Sequence, residues 1–176
     1  NPLIDFGHTH FGENKVQEAI EKWTKLKQEN KQIKLHLIGK LQTNKVKFVL
    51  PLFDYIHSLD NIKLAEKISA QQEKSGFKPK MFIQVNIGNE IQKNGININD
   101  LGSFINICKN DYKLDIIGLM CIPPIDKDTS TYFQEMKFLK DKFSLKDLSM
   151  GMSNDYKLAT QNGSSFVRVG SKIFGQ

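Results

Sequence analysis

The chain has 176 residues, a formal net charge of +6, 39% hydrophobic residues and 25% charged residues. That length suits a single domain able to bury a core without disulfides or metal, and the balance is globular rather than disordered or fibrous. No apolar run approaches the ~20 residues of a membrane-spanning helix, the first residues do not read as a signal peptide, and Cys108 and Cys121 are too few for a disulfide framework or a zinc site.

In chain order, "HTHFGE" (8–13) is a short extended run, followed by an amphipathic helix from Lys15 to Glu29. "KLHLIG" is a strand, and "TNKVKFVL" a helical turn. "FDYIHSL" is another strand, then "NIKLAEKISAQQEKSG" is a helix capped by Asn61 and closed by Gly76. "KMFIQVNIG" is the clearest strand, with Met81, Ile83 and Val85 alternating against Phe82, Gln84 and Asn86. A helix is expected from Ile98 to Lys109, and "LDIIGLMCI" returns as a strand ending in Pro123 and Pro124. Thr129 to Phe143 reads as helix, "LKDLSM" as strand, Asn154 to Asn162 as helix, and "SFVRVG" as the last strand.

Seven strands alternating with helices require parallel pairing, because each crossover carries a helix. Nearly every strand ends in polar residues or glycine, as at Glu13 and Asn14, Gly39 to Asn44, Ser149 to Ser153 and Arg168 to Ser171. An open sheet concentrates its functional loops at one switch point, whereas a closed barrel gathers them around one mouth. The expected fold is therefore α/β, a TIM-type (β/α)8 barrel forming a single domain over 1–176. Its first strand and leading helix are expected to lie before Asn1.

The charge raises the question of nucleic acid. Lysines, however, are scattered and alternate with acids, as in "AIEKWTKLKQENKQIK" and "MKFLKDKFSLKD", which is the pattern of solvated helix faces. No basic cluster is interleaved with aromatics, which counts against RNA or DNA as a partner. Of the 25 basic residues, all but Arg168 are lysine. A planar, permanently charged fork at that one position points to a specific contact; the alternative is an arginine paired to a barrel carboxylate.

"FGENKVQEA", "LHLIGKLQTNKVKFV", "IHSLDNIKLAEKI", "QVNIGNEIQKNGI", "GLMCIPP", "YFQEMKFL", "LSMGMSNDYKLA" and "VRVGSKIFG" together resemble the successive signatures of the pyridoxal phosphate homeostasis protein family. That family has the alanine racemase N-terminal-like barrel. The similarity runs from Phe6 to Gly175 and is specific in the order of its motifs. It implies a barrel that binds pyridoxal 5'-phosphate (PLP), without a recognised reaction, and that carries or buffers the cofactor in vitamin B6 and amino-acid homeostasis. The alternative in the same fold is a PLP-dependent amino-acid racemase-like enzyme. A third is a phosphate-ligand or RNA-binding module without PLP.

A dianionic phosphate seeks hydroxyls, backbone N–H groups and helix N-termini. Ser153 precedes the helix expected near Asn154, while Gly170 and Ser171 follow the last strand and open the short helix "SKIF". TIM barrels often bind phosphate with the loops after strands seven and eight. By the resemblance, Ser153, Gly170 and Ser171 hold the PLP phosphate; the bland reading makes Ser153 only an N-cap and Gly170 only a bend. The resemblance also brings Arg168 to the pyridine nitrogen, where a guanidinium, unable to accept a proton, keeps that nitrogen unprotonated. Asn14 and Asn44 follow strand ends and are expected to line the cofactor or order its neighbours. Met120, Met150 and Cys121 read as packing residues, His36 and His57 as core histidines, and Glu90 with Lys93 as a surface ion pair.

In the family a lysine at the end of the first strand forms the Schiff base with PLP. "FGEN" belongs to the second β/α unit, so that lysine is expected before Asn1, and Lys15, in the following helix, is not its counterpart. The partners expected are PLP and apo forms of PLP-dependent enzymes, with neither nucleic acid nor membrane. The chain is expected to act as a cytoplasmic monomer, with no catalytic residue and no metal.

Overall fold

Short β-branched and leucine-rich runs separated by helical stretches leave each strand only one way to find a neighbour, through a crossover that returns it parallel. The computed structural model describes residues 2–124 and 128–175. Its strands are β1 (His10–Glu13), β2 (Lys34–Leu37), β3 (Tyr55–Leu59), β4 (Lys80–Val85), β5 (Ile116–Cys121), β6 (Asp147–Met152) and β7 (Phe166–Arg168). They pair in the order β1-β2-β3-β4-β5-β6-β7, each pair parallel. The sheet curls on itself. The Phe166 ring, on the last strand, lies 5.9 Å from His10 on the first and 5.7 Å from Phe82 on the fourth. This is the parallel barrel expected from the alternation, seen as seven strands.

The principal helices are α2 (Val16–Glu29), α4 (Ile62–Ser75) and α6 (Thr129–Lys142), each 14 residues long. Each buries one stripe at helical spacing against the outside of the sheet: Ala19 and Trp23, Leu64 and Ile68, Phe133 and Met136. The strands are covered on both faces, so β4 reads as a nearly continuous apolar run. Local chemistry sets the helix ends. The Asn61 side chain accepts from the Leu64 N–H at 2.9 Å, and Gly76 closes α4 at φ 75°. Gly39 is required by a close approach, since a Cβ there would collide with the backbone carbonyl of Asn14. Cys108 and Cys121 are unpaired, buried thiols, and burial pushes each up to about 12.

The structure departs from the sequence reading in several places. A helical turn, α1 (Pro2–Asp5), precedes the first strand where none was expected. The helix expected over 98–109 is three pieces: a 3₁₀ turn Ile98–Asp100, α5 (Leu101–Asn106) and a wider π turn Ile107–Asp111. The short α3 (Val46–Val49) lies between α2 and α4, and the short α7 (Tyr156–Gln161) and α8 (Ser171–Phe174) follow α6. Among the described residues no helix is long and apolar enough to cross a membrane.

Candidate functional site

The loops after β6 and β7 meet at the carboxyl ends of the strands. At the end of β6, Gly151 stands at φ 94°, and a Cβ there would lie 2.5 Å from that of Ala159, so glycine lets α7 pack directly on the strand. The turn that follows is tied by Asp155, whose carboxylate accepts from the Met152 N–H at 2.7 Å. Asp155 stands at the N-cap position without a side-chain cap bond, and α7 begins at Tyr156, two residues later than expected. Ser153 is not a helix cap, and its hydroxyl faces elsewhere. It accepts from the Ser171 hydroxyl at 3.0 Å, which joins the two loops. Gly170, between β7 and α8, faces open space, since a Cβ there would meet nothing within 4 Å.

Arg168 ends β7 and is half-buried. Its Nη1 donates to the Ser149 hydroxyl at 2.7 Å and its Nη2 to the Cys121 carbonyl at 2.8 Å. Among the described residues it makes no ion pair with a carboxylate, so the paired-arginine alternative is not what holds it. Burial lowers its pKa from the ordinary guanidinium value, with Cys121 and Asp155 acting in the opposite direction. The result is a donor-rich corner: a guanidinium, two hydroxyls and an unobstructed glycine. That donor set fits an anionic phosphate on a ring with an acceptor nitrogen.

The expected residues do not all converge. Ser153, Gly170, Ser171 and Arg168 belong to the two neighbouring loops and β7. Asn14 is exposed just beyond β1, where its carbonyl packs on Gly39. Asn44 lines an outer groove with Lys63, Glu66 and Lys67 of α4. A second groove, of about 440 Å³, lies near the amino ends of β2 to β4, with Lys27, Lys34, Asp54 and Phe77 in its walls. Neither groove contains the two serines. Glu90 and Lys93 form the expected ion pair at 2.5 Å.

Sequence reasoning missed what lies behind Arg168. The buried Ser149 hydroxyl also meets His57 Nδ1 at 2.8 Å, His57 Nε2 meets His36 Nδ1 at 2.9 Å, and His36 Nε2 meets His10 Nδ1 at 2.8 Å. The staircase follows from register. His10 pairs with Lys34 and His36 with Tyr55, so each histidine stands two residues beyond its neighbour's partner and stays on the same face of the sheet. A histidine in each of three successive strand motifs was the available signal; the register that aligns them was not. Burial holds His36 down to about 3 and His57 well below the ordinary histidine value, and it also lowers His10. Among the described residues no cluster has the form of a metal site; these histidines bond to one another rather than converge on a point.

The model of the alanine racemase N-terminal domain family matches residues 2–176. The pyridoxal phosphate homeostasis protein of Aquifex aeolicus is 35% identical over 94% of this chain and 76% of its own length. That of Escherichia coli K12 is 32% identical over 98% of the chain and 77% of its own length. The structure of PipY from Synechococcus elongatus, with PLP bound, superposes with a TM-score of 0.89 at 34% identity, covering 99% of this chain and 85% of that one. Alanine racemase from Bartonella henselae, at 16% identity and a TM-score of 0.76 over 99% of this chain and 48% of that one, shares the fold alone. Similar in sequence along nearly its full length to these curated relatives, and in backbone to PipY, the chain belongs to the pyridoxal phosphate homeostasis protein family.

Proposed function

We propose that the chain binds PLP at the ends of β6 and β7 and carries or buffers it, without turning over a substrate. Ser153, Ser171 and the loop at Gly170 hold the phosphate, and Arg168 faces the ring nitrogen. The observation that carries this reading is the meeting of the Ser153 and Ser171 hydroxyls, 3.0 Å apart, beside an unobstructed glycine. Bound PLP supplies an electron-withdrawing ring and an aldehyde. Arg168 donates but cannot accept a proton, so it holds the ring nitrogen unprotonated and the ring a weak electron sink. Burial pushes the Cys121 thiol beside Arg168 up to about 12, so it is poorly suited to moving protons near neutral pH. The names of the relatives, homeostasis proteins rather than enzymes, point the same way.

Asn14 and Asn44 enter this reading as residues that order the mouth rather than touch phosphate. Apo PLP-dependent enzymes are the recipients, the working unit is a monomer, and its place is the cytoplasm, where two unpaired thiols remain reduced.

Equilibrium dialysis with PLP tests the site. Ser153→Ala or Ser171→Ala removes one hydrogen bond to a charged group, worth about 1.5–3 kcal/mol, so the affinity falls roughly ten- to a hundredfold. Arg168→Lys keeps the charge but loses the fork, so PLP stays bound while its absorption spectrum shifts. Unchanged affinity in both serine variants takes these residues out of the site, and an unchanged spectrum at full occupancy takes Arg168 away from the ring.

A further inference from the structure

We propose that His10, His36, His57 and Ser149 form a hydrogen-bond chain of fixed direction that makes Ser149 a permanent acceptor for Arg168 and so positions its guanidinium. The functional part of this rests on the PLP reading above; the direction of the chain does not. An arginine only donates, so the Ser149 oxygen must accept from Nη1 at 2.7 Å. Ser149 is fully buried, and among the described residues the remaining partner of its hydroxyl is His57 Nδ1, at 2.8 Å. A buried hydroxyl hydrogen without an acceptor is costly, so it goes to His57.

The rest follows by alternation. His57 Nδ1 accepts and carries no proton, so the neutral ring has its hydrogen on Nε2 and donates to His36 Nδ1. His36 in turn carries its hydrogen on Nε2 and donates to His10 Nδ1, and His10, which is exposed, ends the chain. The chain has a single direction, from Arg168 at the carboxyl end of the barrel to His10 at the amino end of β1. The surroundings keep it neutral. His57 packs on Phe82 and Phe166 and faces Arg168, while His36 lies flat on Tyr55 with Lys27 and Asp54 near it. His10 faces His8, Lys34 and Asp54. On the far side of the guanidinium the Cys121 carbonyl takes Nη2, so acceptors on β5 and β6 fix its plane.

Long-range proton–nitrogen spectra of the ¹⁵N-labelled protein without cofactor read the tautomers directly. At neutral pH both His36 and His57 should carry hydrogen on Nε2 alone; hydrogen on Nδ1 of either ring, or a charged ring, overturns the chain. A second arm separates positioning from mere support, using PLP absorption at matched occupancy. His57→Phe preserves a ring stacked on Phe82 but removes the acceptor for Ser149, and the absorption maximum should move. His57→Asn restores an acceptor close to the former Nδ1, and the maximum should return toward the wild-type value. Equal spectra in the two variants, moved or unmoved, overturn the positioning role. A wild-type protein that fails to take up PLP sinks the cofactor reading instead, and the tautomers still decide the chain.

Discussion

Arg168 illustrates how much a single residue type carries. A lysine there would present one rotatable ammonium, whereas the guanidinium meets a hydroxyl on one strand and a carbonyl on another at once. That the serine beside it leads back to a run of buried histidines has a consequence for stability. In the unfolded chain the histidines take up protons near pH 6.5, whereas in the fold burial holds His36 down to about 3 and His57 well below the ordinary value. Below pH 6.5 the unfolded state therefore binds more protons, so stability is complete above that pH and is lost as the pH falls. For His36 the loss approaches about 1.4 kcal/mol per pH unit, or about 2 kcal/mol by pH 5, and His57 acts in the same direction. Urea midpoints measured at pH 7.5 and pH 5 check this, and replacing His36 by Phe should flatten the profile. The arginine stood out in the sequence because it was the exception among lysines. Ser149 did not, because a serine inside an apolar strand looks the same whether or not a guanidinium reaches it.

Among the elements, α4 was legible from end to end because both signals that bound it are local: Asn61 at one end and Gly76 at the other. Asn61→Ala should cost about 1 kcal/mol, read from thermal melts and from faster amide exchange confined to the first turn of α4. An unchanged melt would show that water replaces the cap. The helix after β6 starts two residues later than expected because Ser153, Asn154 and Asp155 all qualify as starts, and the residues up to Asp155 are taken up by a turn in which the Met152 N–H donates to the Asp155 carboxylate. The helix over 98–109 carried the right periodicity, but periodicity does not distinguish an α turn from the 3₁₀ and π turns that begin and end it. The last strand is confined to Phe166–Arg168, shorter at both ends than the run "SFVRVG".

At the scale of the molecule, the barrel was readable from alternation alone, since parallel strands with helical crossovers leave few topologies open. What alternation does not contain is depth. β4 and β5 pair over five aligned positions in the middle of the sheet, whereas β7 aligns with β6 at two and is only partly buried. Hydrogen exchange should therefore be slowest at the amides of β4 and β5 and fastest at β1 and β7; equal protection across all seven strands would mean that the sheet opens only as a whole. The consecutive strand order bears on how such a sheet is made. Among the described strands, each one's partner is the next to leave the ribosome, so a nascent chain can extend this part of the sheet one crossover at a time. The Arg168 corner, drawn from β5, β6 and β7, is then among the last parts to be assembled, and the histidines stand in place before the arginine they serve has been synthesised.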